Sequence, residues 1–208
     1  MAYHVILATH KILILTPVAD NLSPAETRFF AVPDHAVVAL DGPDATAFAQ
    51  AQFANDVVAL APGHWHWNAW LTPKGRVVAL FALVKETDEK VLLVLPDYPA
   101  EQLAAQLQRF VFRRKLKIAA RADLPVAGAF RAPVSARNAQ IGVANDALEL
   151  DLGADGGPRT LRVGGAIEAP DDALAQRWRA FDLGHGLPSL ATAQREQWTP
   201  QQLSLDRL

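Results

Sequence analysis

A predicted β-hairpin constrains the fold of this 208-residue chain more than any other feature. The sequence alternates with a period of two from His64 to Thr72, which places Trp67 and Trp70 on opposite faces of one strand. The tetrapeptide Thr72–Gly75 has the proline and glycine of a type I turn, and an apolar strand, Val77–Val84, follows it. We therefore predict a hairpin whose two tryptophans serve different surfaces.

Further strands and helices are predicted on both sides of this hairpin. The strands that we predict lie at Ala36–Leu40, at 91–95, near Leu116 and, more weakly, near 126–131, 147–152 and 160–163. The predicted helices span 43–54, Pro99–Arg113 and Asp171 to about Leu183. This succession is typical of an α+β protein with mainly antiparallel sheets, about three principal helices and a ferredoxin-like arrangement.

Composition and charge limit the function. A net charge of −2 argues against general DNA binding, and the lack of cysteine excludes disulfides and a cysteine nucleophile within these residues. His10 and Lys11 interrupt the apolar runs near the N-terminus, with no basic region before them, so a signal peptide or membrane span is not predicted. We expect a cytoplasmic monomer that contacts no membrane.

Positive charge is concentrated in one segment. Six cations lie within thirteen residues, from Arg109 to Arg121, and no acid occurs between Gln102 and Ala122. Lys74 and Arg76 add two cations at the hairpin turn. The turn and the segment would form an anion site if they are neighbours, whereas a solvated strand edge would need no partner. Both interpretations remain open from the sequence.

Motifs for metal binding or catalysis are weak. His64 and His66 have a spacing that metal sites use, but no third ligand is evident, and a polar strand face explains them more simply. The string GADGGP at 153–158 lacks the lysine of a phosphate-binding loop and is predicted to be a turn. We assign no catalytic residue and no metal ligand.

Several segments together resemble a known family. AQFANDV at Ala51–Val57 is similar to a GQ-x-T-x-DV motif, and WLTPKGR to a hairpin that ends in KGR. RFVFRRKLKI, RWRAFDLGHGLP and WTPQQLSL are similar to later marks of the same family. In this order and spacing, over about residues 35–208, the chain resembles the folate-binding YgfZ proteins, which are relatives of the glycine-cleavage T-protein (aminomethyltransferase).

The resemblance implies non-covalent binding of tetrahydrofolate or another folate derivative. Trp178 falls on the family's folate-binding tryptophan, and His35 stands where a second aromatic residue is usual. The hairpin that contains Trp67 would border the cleft, and Lys74, Arg76, Arg114 and Lys115 are candidates for the anionic glutamate tail. The predicted folate-binding residues are Trp178, His35, Trp67, Gln52, Asp56, Lys74, Arg76, Arg114 and Lys115.

Three departures from the family bear on activity. The position of the T-protein's catalytic aspartate corresponds to Ala79. YgfZ proteins also lack that aspartate, so the resemblance favours ligand binding over catalysis. Gly184 replaces a glutamate of an EAG-x-P motif. The family's KGC motif and the β-barrel after it do not occur before Leu208. The sequence leaves open whether this is a natural short form or a piece of a longer protein.

The resemblance also implies a cellular role and a domain organisation. YgfZ proteins act as accessories in iron–sulfur cluster assembly or repair, with effects on tRNA modification, so iron–sulfur assembly proteins are expected partners. A folate-dependent aminomethyltransferase and a non-catalytic remnant are the alternatives, and a filled cleft with Trp178 in the core would favour the remnant. We expect an extension with the first strands at 1–34 and interwoven T-protein-like subdomains at 35–121 and 122–208.

Overall fold

A computed structural model describes residues 27–32, 34–154 and 156–205, so most of the extension predicted at 1–34 lies outside the described residues. The described chain forms two five-stranded antiparallel sheets and three α-helices. This confirms the predicted α+β class. No helix among the described residues is long and apolar enough to cross a bilayer.

The predicted elements occur in the predicted order with adjusted boundaries, and a short strand at Gly142–Ala144 was not predicted. The strands are β1 (Phe30–Ala31), β2 (Ala36–Asp41), β3 (His64–Leu71), β4 (Val77–Thr87), β5 (Lys90–Leu95), β6 (Lys117–Ala120), β7 (Val126–Ala129), β8 (Gly142–Ala144), β9 (Ala147–Asp151) and β10 (Thr160–Gly164). The helices are α1 (Ala45–Gln52), α2 (Ala100–Gln108) and α3 (Asp172–Gly184), and short 3-10 helices follow at Thr192–Gln194 and Gln201–Leu203.

The first sheet is covered on both faces. Its strand order is β3-β4-β5-β2-β6, and α1 and α2 pack on one face. In β2, Val38 and Leu40 contact this helix-side core, whereas Val37 and Ala39 face the opposite way. Because both faces are buried, β4 and β5 are nearly continuous apolar runs and do not alternate with polar residues.

The second sheet packs against the face of the first sheet that the helices leave open. Its strand order is β1-β7-β10-β9-β8, and α3 adds Trp178 to the core between the sheets. β1 pairs with β7, with Phe30 opposite Gly128, although β1 precedes every strand of the first sheet in the chain. The residues just before 35 therefore belong structurally with the chain after 121.

The β3–β4 hairpin closes through the predicted turn. Gly75 has a left-handed backbone (φ 73°), and its N–H donates to the carbonyl of Thr72 at 2.8 Å. Trp67 packs against the core between the sheets, while Trp70 packs against the helix-side core. The two tryptophans thus lie on opposite faces of the strand.

Helix α2 ends five residues earlier than predicted. Phe110 and Val111 continue its apolar spacing, but the helix stops at Gln108. The N–H groups of Phe110 and Val111 donate to carbonyls three residues back, at 2.9 and 3.3 Å, and Phe112 then has a left-handed backbone (φ 47°). The residues between α2 and β6 therefore form turns and irregular backbone and do not continue the helix.

Candidate functional site: a cavity between the sheets

A cavity of about 130 Å³ lies beside α3 at the margin of the core between the sheets. Its apolar wall includes Val32, Leu80, Val94, Leu161, Ala175 and Leu187. The exposed residues Asp34, Arg179, Leu183 and Ser189 also line it, and they mark where it meets solvent. The site is therefore an apolar recess with a polar opening, the usual form of a small-molecule site.

Helix α3 supplies one wall because of its residue spacing. The helix begins after Asp171, whose carboxylate accepts the backbone N–H of Leu174 at 3.0 Å and caps the helix. Ala175, Trp178 and Asp182 follow at intervals of three and four residues, so they share one helix face and reach the same cavity.

Trp178 is a core residue with the cavity on one side. Only 1% of it is exposed, and its ring meets the edges of Phe30 and Phe130 at centroid distances of 5.9 and 5.7 Å. A Cβ atom at Gly128 would lie 2.8 Å from Trp178 Cζ3, so this approach requires glycine on β7. The ring is a wall of the cavity and not an exposed stacking platform.

Two other predicted residues line the same cavity. His35 lies just before β2, and Trp67 lies on the inward face of β3. Both are half-buried. Three of the nine predicted folate-binding residues thus converge from three separate parts of the chain.

Asp182 is a cavity-lining carboxylate that the sequence analysis missed. Its Oδ1 accepts a hydrogen bond from Arg159 Nη1 at 2.7 Å, and Arg159 is buried with its guanidinium 4.7 Å from the ring centroid of Trp178. Burial raises the pKa of Asp182, and Arg159 and His185 partly oppose that rise. The four-residue interval from Trp178 was a signal that could have identified it.

Asp97 is a second missed carboxylate, located just after β5. Its Oδ2 accepts the backbone N–H of Leu190, and Arg195 Nη2 donates to its backbone carbonyl at 2.7 Å. Its Oδ1 is buried and accepts no hydrogen bond from the residues that the structure describes. Burial raises the pKa of Asp97, with the Leu190 N–H, Arg195 and the Ser189 side chain acting in the opposite direction.

Gln52 and Asp56 lie away from this cavity. Gln52 ends α1 and lines a separate surface cavity, together with Trp70 and Arg109. Asp56 Oδ1 accepts the backbone N–H of Ala59 at 3.0 Å, which shapes an exposed turn. In this chain these two retained motif residues therefore lie outside the recess.

The four predicted tail-binding cations do not come together. Lys74 and Arg76 lie in the turn that joins β3 and β4, whereas Arg114 and Lys115 precede β6 at the opposite edge of the sheet. Arg76 Nη1 donates to the carbonyl of Gln197. None of the four lines the cavity, where the solvent-exposed cation is instead Arg179, paired with Asp34 at 2.6 Å. This arrangement favours the solvated-edge interpretation of the basic segment.

The position matched to the T-protein's aspartate does not face the cavity. Ala79 packs in the helix-side core, and the neighbouring residue, Leu80, lines the cavity. The alanine at position 79 therefore does not describe the chemistry of this recess. The cavity-facing position is apolar as well.

The histidine pair has local partners. His64 Nδ1 lies 3.1 Å from the carbonyl oxygen of Pro62, and His66 Nε2 lies 3.1 Å from Asn68 Nδ2. Burial lowers the pKa of His66. No group of three or more potential ligands that could hold a metal occurs in the described part of the chain.

The site has one feature expected of a ligand-free remnant and one expected of a ligand-binding protein. The burial of Trp178 is what a ligand-free remnant would show. The recess beside it is not filled by side chains, which is what a ligand-binding protein requires. Gly184, which stands where the family has a glutamate, is the last residue of α3. A Cβ atom there would meet nothing within 4 Å, so the glycine leaves no gap in the packing.

The architecture is that of the glycine-cleavage T-proteins. The chain is similar to the structure of the glycine cleavage system aminomethyltransferase T from Bartonella henselae, with a TM-score of 0.57 and 16% identity over 74% of this chain and 46% of that one. At this identity the likeness establishes a T-protein-like fold and nothing finer.

In sequence, the chain is 26% identical over 185 residues to an uncharacterized protein from Haemophilus influenzae. The match covers 88% of this chain and 61% of that protein, so the chain spans about three-fifths of its relative's length. No protein-family model matches the sequence.

Proposed function

We propose that this chain is a folate-binding protein of the YgfZ type that holds the pterin end of a reduced folate in the cavity between its sheets. The carrying observation is that Trp178, His35 and Trp67, all predicted as folate-binding residues, line one recess. The T-protein-like fold supports the same ligand class.

The size of the cavity limits how such a ligand enters. A volume of about 130 Å³ is close to the roughly 150 Å³ of a cavity that accepts benzene, and below the roughly 300–1,000 Å³ of pockets that enclose whole ligands. We expect one ring of the pterin to occupy the recess while the remainder lies at the open end. The carboxylates of Asp97 and Asp182 would repel an anionic glutamate tail from the interior, which leaves Arg179 as its nearest cation.

The cellular part of the proposal rests on the family resemblance. An accessory role in iron–sulfur cluster assembly or repair would bring iron–sulfur assembly proteins to this chain and affect tRNA modification through iron–sulfur enzymes. Because the 208 residues contain no cysteine, the step that we assign to them is ligand binding. We do not propose aminomethyl transfer, since Leu80, the residue of β4 that lines the recess, provides no carboxylate there.

Tetrahydrofolate titration, measured by calorimetry and tryptophan fluorescence, tests the proposal. Trp67→Leu should weaken binding about tenfold or more, because an aromatic wall of the recess is lost. Trp70→Leu is the matched control, since this tryptophan lies on the same strand but faces the other core. It should change the affinity by less than about twofold.

A further variant examines the central tryptophan without emptying the core. Trp178→Phe keeps an aromatic ring in the core. Trp178→Ala, in contrast, would cost about 3–5 kcal/mol of folding free energy. Weaker tetrahydrofolate binding by a folded Trp178→Phe variant would support the proposal. No binding by the unaltered chain at millimolar ligand, or equal losses in the Trp67 and Trp70 variants, would exclude it.

A further inference from the structure

The first sheet carries a second cavity, named here the turn–helix groove, on its helix side. The groove has a volume of about 420 Å³ and lies between the β3–β4 turn and the ends of α1 and α2. None of the described residues lines both this groove and the recess between the sheets, so the two cavities are separate. The volume is within the roughly 300–1,000 Å³ of pockets that hold ligands. The apolar residues that line the groove are Trp70, Leu71, Pro73, Val78 and Phe110.

An exposed aromatic ring forms part of this groove. Phe110 is 50% exposed, and its ring meets that of the half-buried Trp70 edge-on, at a centroid distance of 6.2 Å. The N–H of Phe110 donates to the carbonyl of Leu107 at 2.9 Å, so the turn that follows α2 holds the ring in place. Covering both rings would remove apolar surface from water. The pair therefore provides a preformed contact for an apolar side chain.

The cations around the turn–helix groove outnumber its acids. Arg109 lines the groove, and Lys74 and Arg76 lie in the turn at its margin. None of the three forms an ion pair within the described part of the chain, since Arg76 donates to the backbone carbonyl of Gln197. Glu196 is the acid that lines the groove among the described residues. On a chain with a net charge of −2, this local excess of positive charge is complementary to an acidic ligand.

Two glutamine amides in the groove can bind a peptide backbone. The Gln52 side chain hydrogen-bonds to none of the described residues. Gln106 Oε1 accepts the hydroxyl of Tyr98 at 3.0 Å, which leaves its N–H₂ without a partner in the same part of the chain. A side-chain amide donates and accepts as a peptide group does. The groove therefore offers apolar, cationic and amide contacts side by side.

We propose that the turn–helix groove binds an acidic peptide segment of a partner protein. An apolar side chain of the segment packs against Trp70 and Phe110, and its carboxylates pair with Arg109 and Lys74. Clusters of basic side chains recognise acidic motifs in other proteins, and guanidinium groups bind carboxylates strongly. This inference goes beyond the proposed function and requires no ligand in the recess.

Two other polyanionic surfaces fit the groove less well. A nucleic acid carries a charge at every nucleotide, which Glu196 and the net charge of −2 oppose. A membrane surface would contact the most exposed apolar side chain, which is Phe112 at 88% exposure and not Phe110. Phe112 does not line the groove, so it separates these occupants from a peptide.

Fluorescence anisotropy with a labelled peptide, Asp-Glu-Asp-Trp-Asp-Glu-Asp, measures binding to the whole chain. The chain should bind this peptide about tenfold or more tightly than the same peptide with a central alanine, because the apolar anchor is lost. A uridine dodecamer and phosphatidylserine-containing vesicles provide the competing probes. Tighter binding of either one than of the tryptophan peptide would overturn the inference.

Two exposed phenylalanines form a matched pair of variants. Phe110→Ser should weaken binding of the tryptophan peptide about fivefold or more, because the ring beside Trp70 is removed. Phe112→Ser removes a ring outside the groove and should change the affinity by less than about twofold. Equal losses in the two variants would contradict a site in the groove.

Charge reversal within the basic segment gives a second pair. Arg109→Glu should weaken peptide binding about tenfold or more. Lys117→Glu makes the same change of net charge at an exposed residue of β6 outside the groove, and it should weaken binding less than about threefold. Equal effects would indicate non-specific attraction and overturn the inference.

The unaltered chain also separates this inference from the proposed function. All four variants should unfold at about the temperature of the unaltered chain and bind tetrahydrofolate with its affinity, since none of the replaced residues lines the recess. If the tryptophan peptide does not bind at millimolar concentration, the inference fails while the proposed function stands. If the peptide binds and tetrahydrofolate does not, the proposed function fails alone.

Discussion

At the scale of single residues, a buried guanidinium links the core to the candidate site. Arg159 is 2% exposed and lies between the Trp178 ring and the Asp182 carboxylate. Because Arg159 opposes the burial that raises the pKa of Asp182, its removal would leave that carboxylate buried and unpaired. The ion pair with Arg159 therefore favours the ionised form of the Asp182 carboxylate beside an apolar recess.

Replacing Arg159 by methionine should cost about 3–5 kcal/mol of stability at neutral pH. The pKa of Asp182 is raised in the folded chain, so the folded state keeps this proton up to a higher pH than the unfolded state does. Stability therefore falls as the pH rises through the interval between the unfolded and the folded pKa. Without Arg159 the pKa rises further and the interval extends upward, so the deficit should grow with pH. Urea unfolding at about pH 4.5 and about pH 7.5 measures it.

The double variant Arg159→Met with Asp182→Asn supplies the control. It removes the unpaired charge and should recover part of the loss, with less pH dependence than the single variant. An equal deficit at both pH values in the single variant would contradict this account.

At this scale, the recess contains only some of the residues that the sequence analysis named. The resemblance named Trp178, His35 and Trp67, and all three line the recess. Asp182 could have been found by helical spacing from Trp178. Asp97 could not, because its significance depends on Leu190, which is 93 positions away in the chain.

At the scale of elements, the position of α3 depends on one glycine in β7. A Cβ atom at Gly128 would come within 2.8 Å of the Trp178 ring and 2.9 Å of Val32 Cγ2. Both neighbours line the cavity, so the contact between β7 and α3 also sets the shape of the recess.

Gly128→Ala should therefore destabilise the chain by about 1–3 kcal/mol and weaken tetrahydrofolate binding, because Trp178 must move. Gly184→Ala is the matched control: a Cβ at this last residue of α3 meets no atom within 4 Å, and alanine favours a helix. Denaturant unfolding should show the control to be unchanged or slightly more stable. A Gly128→Ala variant as stable as the control would refute the close-contact argument.

At the scale of the whole molecule, the two sheets share one core. Val37 and Val94 of the first sheet pack in the same cluster as Val126 and Leu161 of the second. β1 reaches the second sheet from a part of the chain that precedes the first. Neither 35–121 nor 122–205 therefore contains all the surfaces that bury its own side chains.

We predict that the chain unfolds in a single cooperative transition. Far-ultraviolet circular dichroism and tryptophan fluorescence should give coincident denaturation curves, because both sheets lose their shared core together. An isolated 35–121 segment should expose the apolar face of its sheet and aggregate. Two separated transitions, or a soluble and cooperatively folded 35–121 segment, would contradict the shared-core account.

The sequence by itself determined the α+β class, the hairpin at Thr72–Gly75 and the opposite faces of Trp67 and Trp70, because these depend on local periodicity and turn chemistry. It misplaced the end of α2, since the change from helix to turns occurs within an unbroken apolar pattern and leaves no periodic signal. Only the tertiary structure brought Asp97 and Asp182 to the recess and kept the four cations apart. Those relations depend on which strands pair and which faces pack, which residues distant along the chain decide together.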